Sequence, residues 1–404
     1  MDTEPKFQPE FESGYVIPQM DIPPEHLFGN WLWGWGNVLV LAAALAVGVW
    51  LVHKRRSRLG IVLLGAFSLV YFGFLRHGCV CPIGSVQNVV EGIGCGTGVS
   101  MVILAIFLLP LVVALFWGRV FCSGICPLGA IQDVMVIGRP KTLPRWLDAG
   151  LTLIRSAYFW LAVLVAGLGA GYLICRYDPF VGFFRMGGFP HMLIFGGILL
   201  VLGVVVARPY CRYICPYGLL LEWVSRFAKK PVQITPSPCI ACKLCAGGCP
   251  FDAIEAPSTG LPPEGMARSR RSLAWRLALA PLVLAACVGL AWKMSPALAE
   301  LHVYVKTASD IRAAEKGGQP SGRVRAFEEN GGDAQSLLAA AEVIKKRFAF
   351  WTPLAGFMFG LAVCARFVNL GTHRSRSIFE IHSGRCVACG RCYGYCPLNR
   401  KRKH

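Results

Sequence analysis

The chain has 404 residues, 55% of them hydrophobic, with a mean hydropathy of +0.52 and a formal net charge of +19. This apolar content exceeds that of ordinary soluble domains and indicates membrane spans. Most of the 18 cysteines lie in short motifs that end in Cys-Pro, which are typical of metal clusters rather than of disulfides. The charge does not indicate a nucleic-acid partner, because it lies in runs beside apolar segments, where membrane proteins carry Lys and Arg.

A membrane-spanning helix needs about 20 mostly apolar residues. We predict seven spans, at 29–52, 59–76, 98–117, 150–173, 190–207, 273–293 and 349–368. The first residues are polar and acidic, without the apolar stretch of a cleavable signal, and the first span ends at a basic run, 54–58. The positive-inside rule therefore predicts a multi-pass protein of a prokaryotic inner (plasma) membrane, with the N-terminus outside and the C-terminus in the cytoplasm.

Alternation of the spans divides the chain into five regions. They are an extracytoplasmic tail (1–28), a five-helix membrane domain (29–238), the first half of a ferredoxin module (239–272), a transmembrane hairpin (273–368) and the second half of the module (369–404). The hairpin holds a polar insert, 294–348, in which Gly331-Gly332-Asp333 is suited to cap a helix through Ala334–Phe348. The insert is either a solvated lid or the docking surface for an extracytoplasmic redox protein.

Two segments match C-x2-C-x2-C-x3-C-P, the spacing of bacterial ferredoxins with two [4Fe–4S] clusters, and begin at Cys239 and Cys386. In such domains the fourth cysteine of each motif ligates the other cluster. The first cluster is therefore predicted to use Cys239, Cys242, Cys245 and Cys396, and the second to use Cys386, Cys389, Cys392 and Cys249. Zinc is the alternative metal, although it prefers paired C-x2-C knuckles.

Three further Cys-Pro elements begin at Cys81, Cys126 and Cys215, and each follows a second cysteine. On the predicted topology, the last two elements lie on the inner side and form an inner site of four thiols, Cys122, Cys126, Cys211 and Cys215. Four thiolates are a complete ligand set for a third iron–sulfur cluster or another thiophilic metal. The alternative is that these are buried structural cysteines.

The remaining loop cysteines define an outer site, Cys79, Cys81, Cys95 and Cys175, which we predict to hold a fourth iron–sulfur cluster. Extracytoplasmic disulfides are the alternative. Only Cys287 and Cys364 are left, both inside spans, where a thiol is a small apolar residue. Charged and polar residues of an outer loop suggest a quinol pocket, with ordinary interface anchoring as the alternative: Arg176, Asp178, Arg185 and His191.

With two Cys-x3-Cys-Pro pairs followed by two ferredoxin motifs, the chain resembles the NapH/NosR-type family of membrane polyferredoxins over residues 98–400. The resemblance implies electron transfer between a cytoplasmic donor or quinol and an extracytoplasmic redox partner, in a subunit of an anaerobic-type respiratory complex. Two alternatives stay open: a metalloenzyme assembly or redox-sensing factor that handles copper or thiols, and a quinol dehydrogenase. No haem c signature and no flavin-attachment motif of the NosR kind is present, so neither haem c nor a covalent flavin is expected.

The sequence as a whole predicts an all-α polytopic membrane protein with about seven transmembrane helices. A small, split, two-[4Fe–4S] ferredoxin-like α+β module is expected at its cytoplasmic face. The expected partners are membrane lipid and other subunits of a redox complex, and no nucleic acid.

Overall fold

Helices make up most of the chain in this computed structural model, which describes residues 27–78, 80–136, 143–185, 190–233, 240, 242–257, 263–317, 319–369 and 379–397. Cys79, Cys239 and residues 1–26 of the predicted tail lie outside the described residues. Within the described ranges the β-structure is a single two-stranded sheet. The mostly helical architecture expected from the sequence is thus confirmed.

Among the described residues, five helical segments are long and apolar enough to cross a membrane, namely Gly34–Arg55, Arg58–Leu75, Trp146–Gly167, Arg271–Ala299 and Ala334–Asn369. Two shorter apolar helices are α4 (Met101–Trp117) and α10 (Pro190–Val205). Each of the seven predicted spans overlaps one of these helices. Because α4 and α10 fall short of the usual length of about 20 residues, crossing by all seven stays a prediction.

The first two spans each end in a π-helical segment. Helix α1 (Leu27–Val49) continues through Trp50–Arg55, and α2 (Arg58–Ser68) continues through Leu69–Leu75. Ser57 caps α2, since its side chain accepts a hydrogen bond from the backbone N–H of Gly60 at 3.3 Å. The chain therefore reverses sharply at the basic run that the positive-inside rule assigns to the inner side.

Short helices that begin at a proline directly after a cysteine or aspartate form the centre of the molecule. Proline suits the first position of a helix, because its missing N–H would be unsatisfied there anyway. These helices are α3 (Pro82–Gly94), α6 (Pro127–Val134), α9 (Pro179–Arg185) and α12 (Pro216–Ser225). The neighbouring elements are α5 (Phe121–Gly124), α7 (Arg145–Gly167), α8 (Leu173–Tyr177) and α11 (Pro209–Tyr213).

A long helical hairpin carries the polar insert. The hairpin consists of α14 (Pro263–Ala299), α15 (Val303–Glu315), α16 (Gly322–Glu329) and α17 (Ala334–Asn369). It is preceded by α13 (Leu244–Gly247) and β1 (Ile254–Glu255), and it is followed by β2 (Glu380–Ile381) and α18 (Arg391–Tyr395). Helices α14 and α17 pack so closely at Gly356 that a Cβ added to this glycine would lie only 2.4 Å from the Cβ of Ala291. Small residues at such a contact let membrane helices approach.

The predicted helix in the insert is present, and it is longer than expected. Asp333 caps it, with its carboxylate accepting hydrogen bonds from the backbone N–H groups of Gln335 and Ser336 at 3.1 and 3.0 Å. Helix α17 then runs without a break from the insert into the last span. Hydropathy marks only the apolar part of such a helix, so the sequence placed a boundary near residue 349 where the backbone has none.

The two cysteine-rich segments on either side of the hairpin meet in space. Strand β1 pairs antiparallel with β2, with Ile254 opposite Ile381. The second segment also packs on the ends of the first two spans, where the hydroxyl of Tyr393 donates to the carbonyl of Val52 at 3.1 Å and Arg58 donates to the carbonyl of Cys389 at 2.7 Å. Segments far apart in sequence thus assemble at the end of the helices that carries the basic run.

Candidate iron–sulfur sites

Four cysteines surround a cavity between the two cysteine-rich segments. Its lining includes Cys249 from the first segment and Cys386, Cys389 and Cys392 from the second. Burial raises the pKa of Cys249 to about 11, and burial with the neighbouring thiolates raises that of Cys386 to about 12. Buried thiolates this close together need a bound cation, and a thiophilic cluster supplies that charge. The structure brings together the four residues predicted for the second cluster.

Of the described residues predicted for the first cluster, Cys245 packs beside Cys249 and Cys392 of this cavity. Cys242 is exposed, while Cys245 and Cys396 are buried. Helix α13, which contains Cys245, packs against α18. Burial is the main cause that raises the pKa of Cys392, and the negative charge of Cys245 adds to this effect. The fourth predicted ligand, Cys239, is outside the described residues.

The two motifs share a backbone turn that their spacing requires. Lys243 has a φ of 62° and Gly390 a φ of 71°, and each directly follows the second cysteine of its motif. A left-handed residue reverses the chain so that cysteines two residues apart face the same side. Lysine adopts this conformation at a steric cost, so the turn is imposed by the motif rather than by local preference.

The inner site forms at the junction of two matching half-sites. Its members are Cys122 and Cys126, around α5, and Cys211 and Cys215, around α11. Burial raises the pKa of Cys126 well above its ordinary value, and the charges of the other three thiolates add to the effect. All four residues predicted for this site are therefore close enough to interact electrostatically.

Two buried arginines cross between the half-sites, and sequence reasoning missed them. Arg208 precedes Cys211 by three residues, yet it donates hydrogen bonds to the carbonyls of Cys122 and, at 3.2 Å, Ser123. Arg119 precedes Cys122 by three residues, yet its guanidinium lies against the other half-site. The Nη2 of Arg119 is 3.4 Å from the position that a Cβ on Gly218 would take. The repeated Arg-x2-Cys spacing was the signal that could have found them.

Each half-site also places an acid seven residues after its Cys-Pro cysteine. Asp133 pairs with Arg208 at 3.2 Å, with Arg391 at 3.6 Å and with Arg58. Burial alone would raise the pKa of Asp133, but the arginine charges hold it below its usual range. This acid ties the inner site to both the first spans and the second ferredoxin motif.

Glu222 is the counterpart of Asp133 and is 4% exposed. Its carboxylate pairs with Arg155 of α7, with Arg226 at 3.0 Å and with Arg366 of α17 at 3.0 Å. Burial opposes ionisation, but these charges together with Arg119 hold the pKa of Glu222 below its usual range. A buried carboxylate with several arginines is ionised and fixes the inner site against two spans.

The inner site adjoins the cavity of the second ferredoxin motif through the same arginines. Arg119 donates to the carbonyl of Gly384 at 3.0 Å and lies 4.0 Å from the Sγ of Cys122. Burial alone would lower the pKa of Arg119. The nearby thiolates and Glu222 together have the larger, opposite effect and raise this pKa above its ordinary value, so Arg119 keeps its charge. Cys122 packs in one apolar cluster with Phe251 and Val387. Cys249, Cys386 and Cys389 pack against the same apolar cluster, so the two groups of thiols adjoin one another.

Only part of the predicted outer site comes together. Burial raises the pKa of Cys81 to about 12, and the charges of Asp178 and Cys175 contribute. A Cβ on Gly84 would lie 3.4 Å from the Sγ of Cys175, so this thiol lies against the start of α3. Cys81 also interacts electrostatically with Cys126, which places it beside the inner site.

Cys95 lies apart from Cys81, at the opposite end of α3. Cys81 precedes the first residue of α3 and Cys95 follows the last, and the helix has 13 residues. At 1.5 Å per residue, the two cysteines are about 20 Å apart. The Sγ of Cys95 instead lies 3.3 Å from the position that a Cβ on Gly169 would take, and the Nε2 of His302 lies 4.0 Å from the same position.

The residues predicted for a quinol pocket have different environments. Asp178 is 6% exposed, and its carboxylate accepts hydrogen bonds from the hydroxyl of Tyr210 at 2.7 Å and from the backbone N–H of Phe180 at 2.9 Å. Arg176, Arg185 and His191 are exposed. Asp178 therefore belongs to the buried centre of the molecule, whereas the other three belong to its surface.

The described cysteines form no disulfide and converge on no site for a single ion. Among the described residues, no three Cys, His, Asp or Glu side chains approach closely enough to hold a single metal ion. A zinc ion would draw four sulfurs to about 3.8 Å from one another, whereas a cubane binds each thiolate on a separate iron. Cys81 and Cys95 are free thiols in the structure.

The chain is similar to known proteins over its central part. The family model of a 4Fe-4S binding domain matches residues 99–143 and 189–234, which contain the inner site. YccM of Escherichia coli (strain K12) is 30% identical over 42% of the chain and 52% of its own length, and MJ0750 of Methanocaldococcus jannaschii is 30% identical over 45% and 77%. The regulatory protein NosR of Pseudomonas aeruginosa is 28% identical over 50% and 30%.

These matches span different shares of the relatives. The aligned region is about half the length of YccM, so the whole activity of that protein is not transferred with it. No solved structure shows significant similarity to the chain.

Proposed function

Because the chain belongs to the NapH/NosR-type family of membrane ferredoxins, we propose that it conducts electrons through the membrane along a row of iron–sulfur clusters. Two [4Fe–4S] clusters occupy the ferredoxin motifs, a third occupies the inner site and a fourth occupies the outer site. Electrons pass between a cytoplasmic donor or quinol and an extracytoplasmic redox partner. The protein is a subunit of a respiratory complex of a prokaryotic plasma membrane.

The observation that carries this proposal is the order in which the cysteine groups adjoin one another. Cys245 of the first cluster interacts with Cys392 of the second. Arg208 interacts with both Cys389 of the second cluster and Cys211 of the inner site. Cys122 of the inner site also packs against the same apolar cluster as Cys249 and Cys386 of the second cluster, so neighbouring groups adjoin one another, as a relay requires.

The relay continues from the inner site toward the outer one. Cys126 interacts with Cys81, and Tyr158 of α7 lies within electrostatic range of Cys215 on one side and of Cys175 and Asp178 on the other. The hydrocarbon core is about 30 Å thick, too thick for one efficient electron step. Intermediate sites divide the distance into short steps.

The proposed orientation has the ferredoxin motifs on the cytoplasmic side and seven membrane crossings. It is supported by the basic run between the first two spans, where Arg58 contacts the second motif through the carbonyl of Cys389. In this orientation the insert, 294–348, faces outside and is the docking surface for the redox partner. Its residues Val305, Ala341 and Phe348 pack in one apolar cluster with Leu164 near the end of α7, which joins the insert to the membrane domain.

Anaerobic purification with redox titration followed by EPR tests the proposal. We expect about 16 irons per chain and four reversible components, all reduced by a low-potential cytoplasmic donor. Cys287→Ser is the matched control, since Cys287 lies in α14 and should leave the iron content unchanged. About eight irons together with bound copper would instead identify an assembly factor. Reduction by quinol alone, blocked by a quinone analogue, would identify a quinol dehydrogenase.

A further inference from the structure

A fourth half-site follows α7, and its fourth position holds an aspartate. Cys175-Arg-Tyr-Asp178-Pro179 matches Cys211-Arg-Tyr-Ile-Cys215-Pro216, with one residue fewer between its ends. Asp178 therefore stands directly before the proline, where the inner site has the ligand Cys215. The chain contains two pairs of half-sites: those of Cys126 and Cys215 form the inner site, and those of Cys81 and Cys175 adjoin one another.

The structure places Asp178 and Cys215 equivalently. Asp178 precedes the first residue of α9, as Cys215 precedes that of α12. Each side chain turns toward the start of its own helix: the Oδ1 of Asp178 accepts from the N–H of Phe180 at 2.9 Å, and the Sγ of Cys215 accepts from the N–H of Gly218 at 3.4 Å. The carboxylate thus occupies the position of a ligand thiolate.

A pair of matching glutamines gives an independent indication of a ligand. In the inner site, Gln132 accepts from the N–H of Tyr210 at 3.1 Å and donates through Nε2 to the Sγ of Cys211 at 3.3 Å. Gln87 lies at the same position of α3 and accepts from the N–H of Ile174, the residue before Cys175, at 2.9 Å.

The amide nitrogen of Gln87 differs from that of Gln132 in one respect. Gln87 is 1% exposed, and its Nε2 has no hydrogen-bond partner. A buried amide without a partner is costly, so such a group needs an acceptor. The equivalence with Gln132 directs it at the sulfur of Cys175, which already lies against Gly84, one turn earlier on the same helix.

We propose that Asp178, and not Cys95, is a ligand of the outer-site cluster, together with Cys81 and Cys175, and that Gln87 donates a hydrogen bond to a sulfur of this site. The proposal rests on the outer cluster of the proposed function and changes its ligand set.

An oxygen ligand gives one iron of the cluster a distinct chemistry. Carboxylate oxygen is a harder donor than thiolate and binds iron of an iron–sulfur cluster less tightly. On mild oxidation, [4Fe–4S]²⁺ releases one Fe²⁺ and one electron to the oxidant and becomes [3Fe–4S]⁺. The iron held by Asp178 would be released most readily, because a carboxylate oxygen holds it less tightly than a fourth thiolate would.

The experiment compares the full-length protein with three variants, each purified anaerobically and treated briefly with ferricyanide. The wild type should develop one [3Fe–4S]⁺ EPR signal, amounting to about one of four clusters. Asp178→Cys should keep the full iron content without developing that signal. Cys95→Ser should behave as the wild type, and Asp178→Asn should lose about four irons or show the three-iron signal before oxidation. The EPR signals of the ferredoxin clusters show in each case that the chain is folded.

Each result separates the ligand assignment from the wider function. Loss of the outer component in Cys95→Ser, with no effect of Asp178→Asn on iron content or EPR, would overturn the assignment while leaving the relay intact. A wild type that contains only about 12 irons and no fourth component would instead remove the outer cluster from the proposed function. If Asp178→Asn fails to fold, the response of Asp178→Cys to ferricyanide still decides, because persistence of the three-iron signal in that variant contradicts the proposal.

Discussion

Replacing Arg119 with glutamine tests whether a fixed positive charge sets the reduction potential of the inner site. Arg119 is 4% exposed and lies 4.0 Å from the Sγ of Cys122. Reduction adds negative charge to a cluster, so a nearby cation stabilises the reduced form and raises the potential. Arg119→Gln should therefore lower the potential of the inner cluster, and to a smaller extent that of the cluster at Cys386.

The size of this shift follows from the geometry. The added electron is centred about 3 Å beyond the thiolate sulfur, so it lies about 7 Å from the guanidinium of Arg119. At an effective dielectric constant of about 20, two unit charges at this distance interact with about 2.4 kcal/mol. For a one-electron couple, this energy corresponds to a decrease of about 100 mV.

EPR-monitored titration of the inner component measures the shift. Arg119→Lys keeps the charge and should recover most of the potential. Arg226→Gln is the matched control, because Arg226 pairs with the same Glu222 but is 40% exposed at its side chain. A shift below about 20 mV in Arg119→Gln, or an equal shift in the control, would contradict the reasoning, since a screened surface charge has little effect.

Three further predictions concern ligands, a buried charge and the split module. Cys126→Ser should remove about four irons and one EPR component, while Cys287→Ser removes none; equal iron contents would argue against an inner cluster. Glu222→Gln should destabilise the protein by about 3–5 kcal/mol, because it leaves a buried arginine without its partner, whereas Glu342→Gln at an exposed pair should change thermal unfolding little. The pKa of Glu222 is lowered in the folded protein, so its stabilising charge is fully present above about pH 4.3 and is lost only as the pH falls through the folded-state value. Unfolding between about pH 8 and 5 should therefore not depend on Glu222. Ile254→Asp should remove both ferredoxin signals and about eight irons while sparing the inner component, because Ile254 joins the two halves of the module; intact ferredoxin signals would show that the strand pairing is dispensable.

Local sequence patterns predicted the features that depend on short-range spacing. Each predicted span coincides with an apolar helix, because about 20 apolar residues have few alternatives to a helix in a membrane. The ferredoxin spacing also placed Cys249 with the second motif rather than its own, and the structure shows this grouping around one cavity. Asp333 was readable as a cap, since capping involves only the next few residues.

Features that depend on distant segments were not readable in the same way. The arginines Arg119 and Arg208 act on the opposite half-site, and no local pattern states which carbonyl a buried guanidinium reaches. Counting cysteines grouped Cys95 with Cys81, although the intervening helix keeps them apart. Cysteine counts find thiols only, so they passed over Asp178, which holds the position of a ligand in a repeat with one residue deleted.

The hairpin between the two cysteine motifs imposes an order on biogenesis. Cys249 leaves the ribosome before α14, the insert and α17 are made, but the other cysteines around its cavity follow them near the end of the chain. The cavity is therefore complete only after both helices of the hairpin have been made and folded back on each other. Chain connectivity thus prevents this one cluster from loading on a half-inserted chain, whereas the inner site is complete earlier. Incorporation of the cluster at Cys249 then reports that both helices of the hairpin have been made.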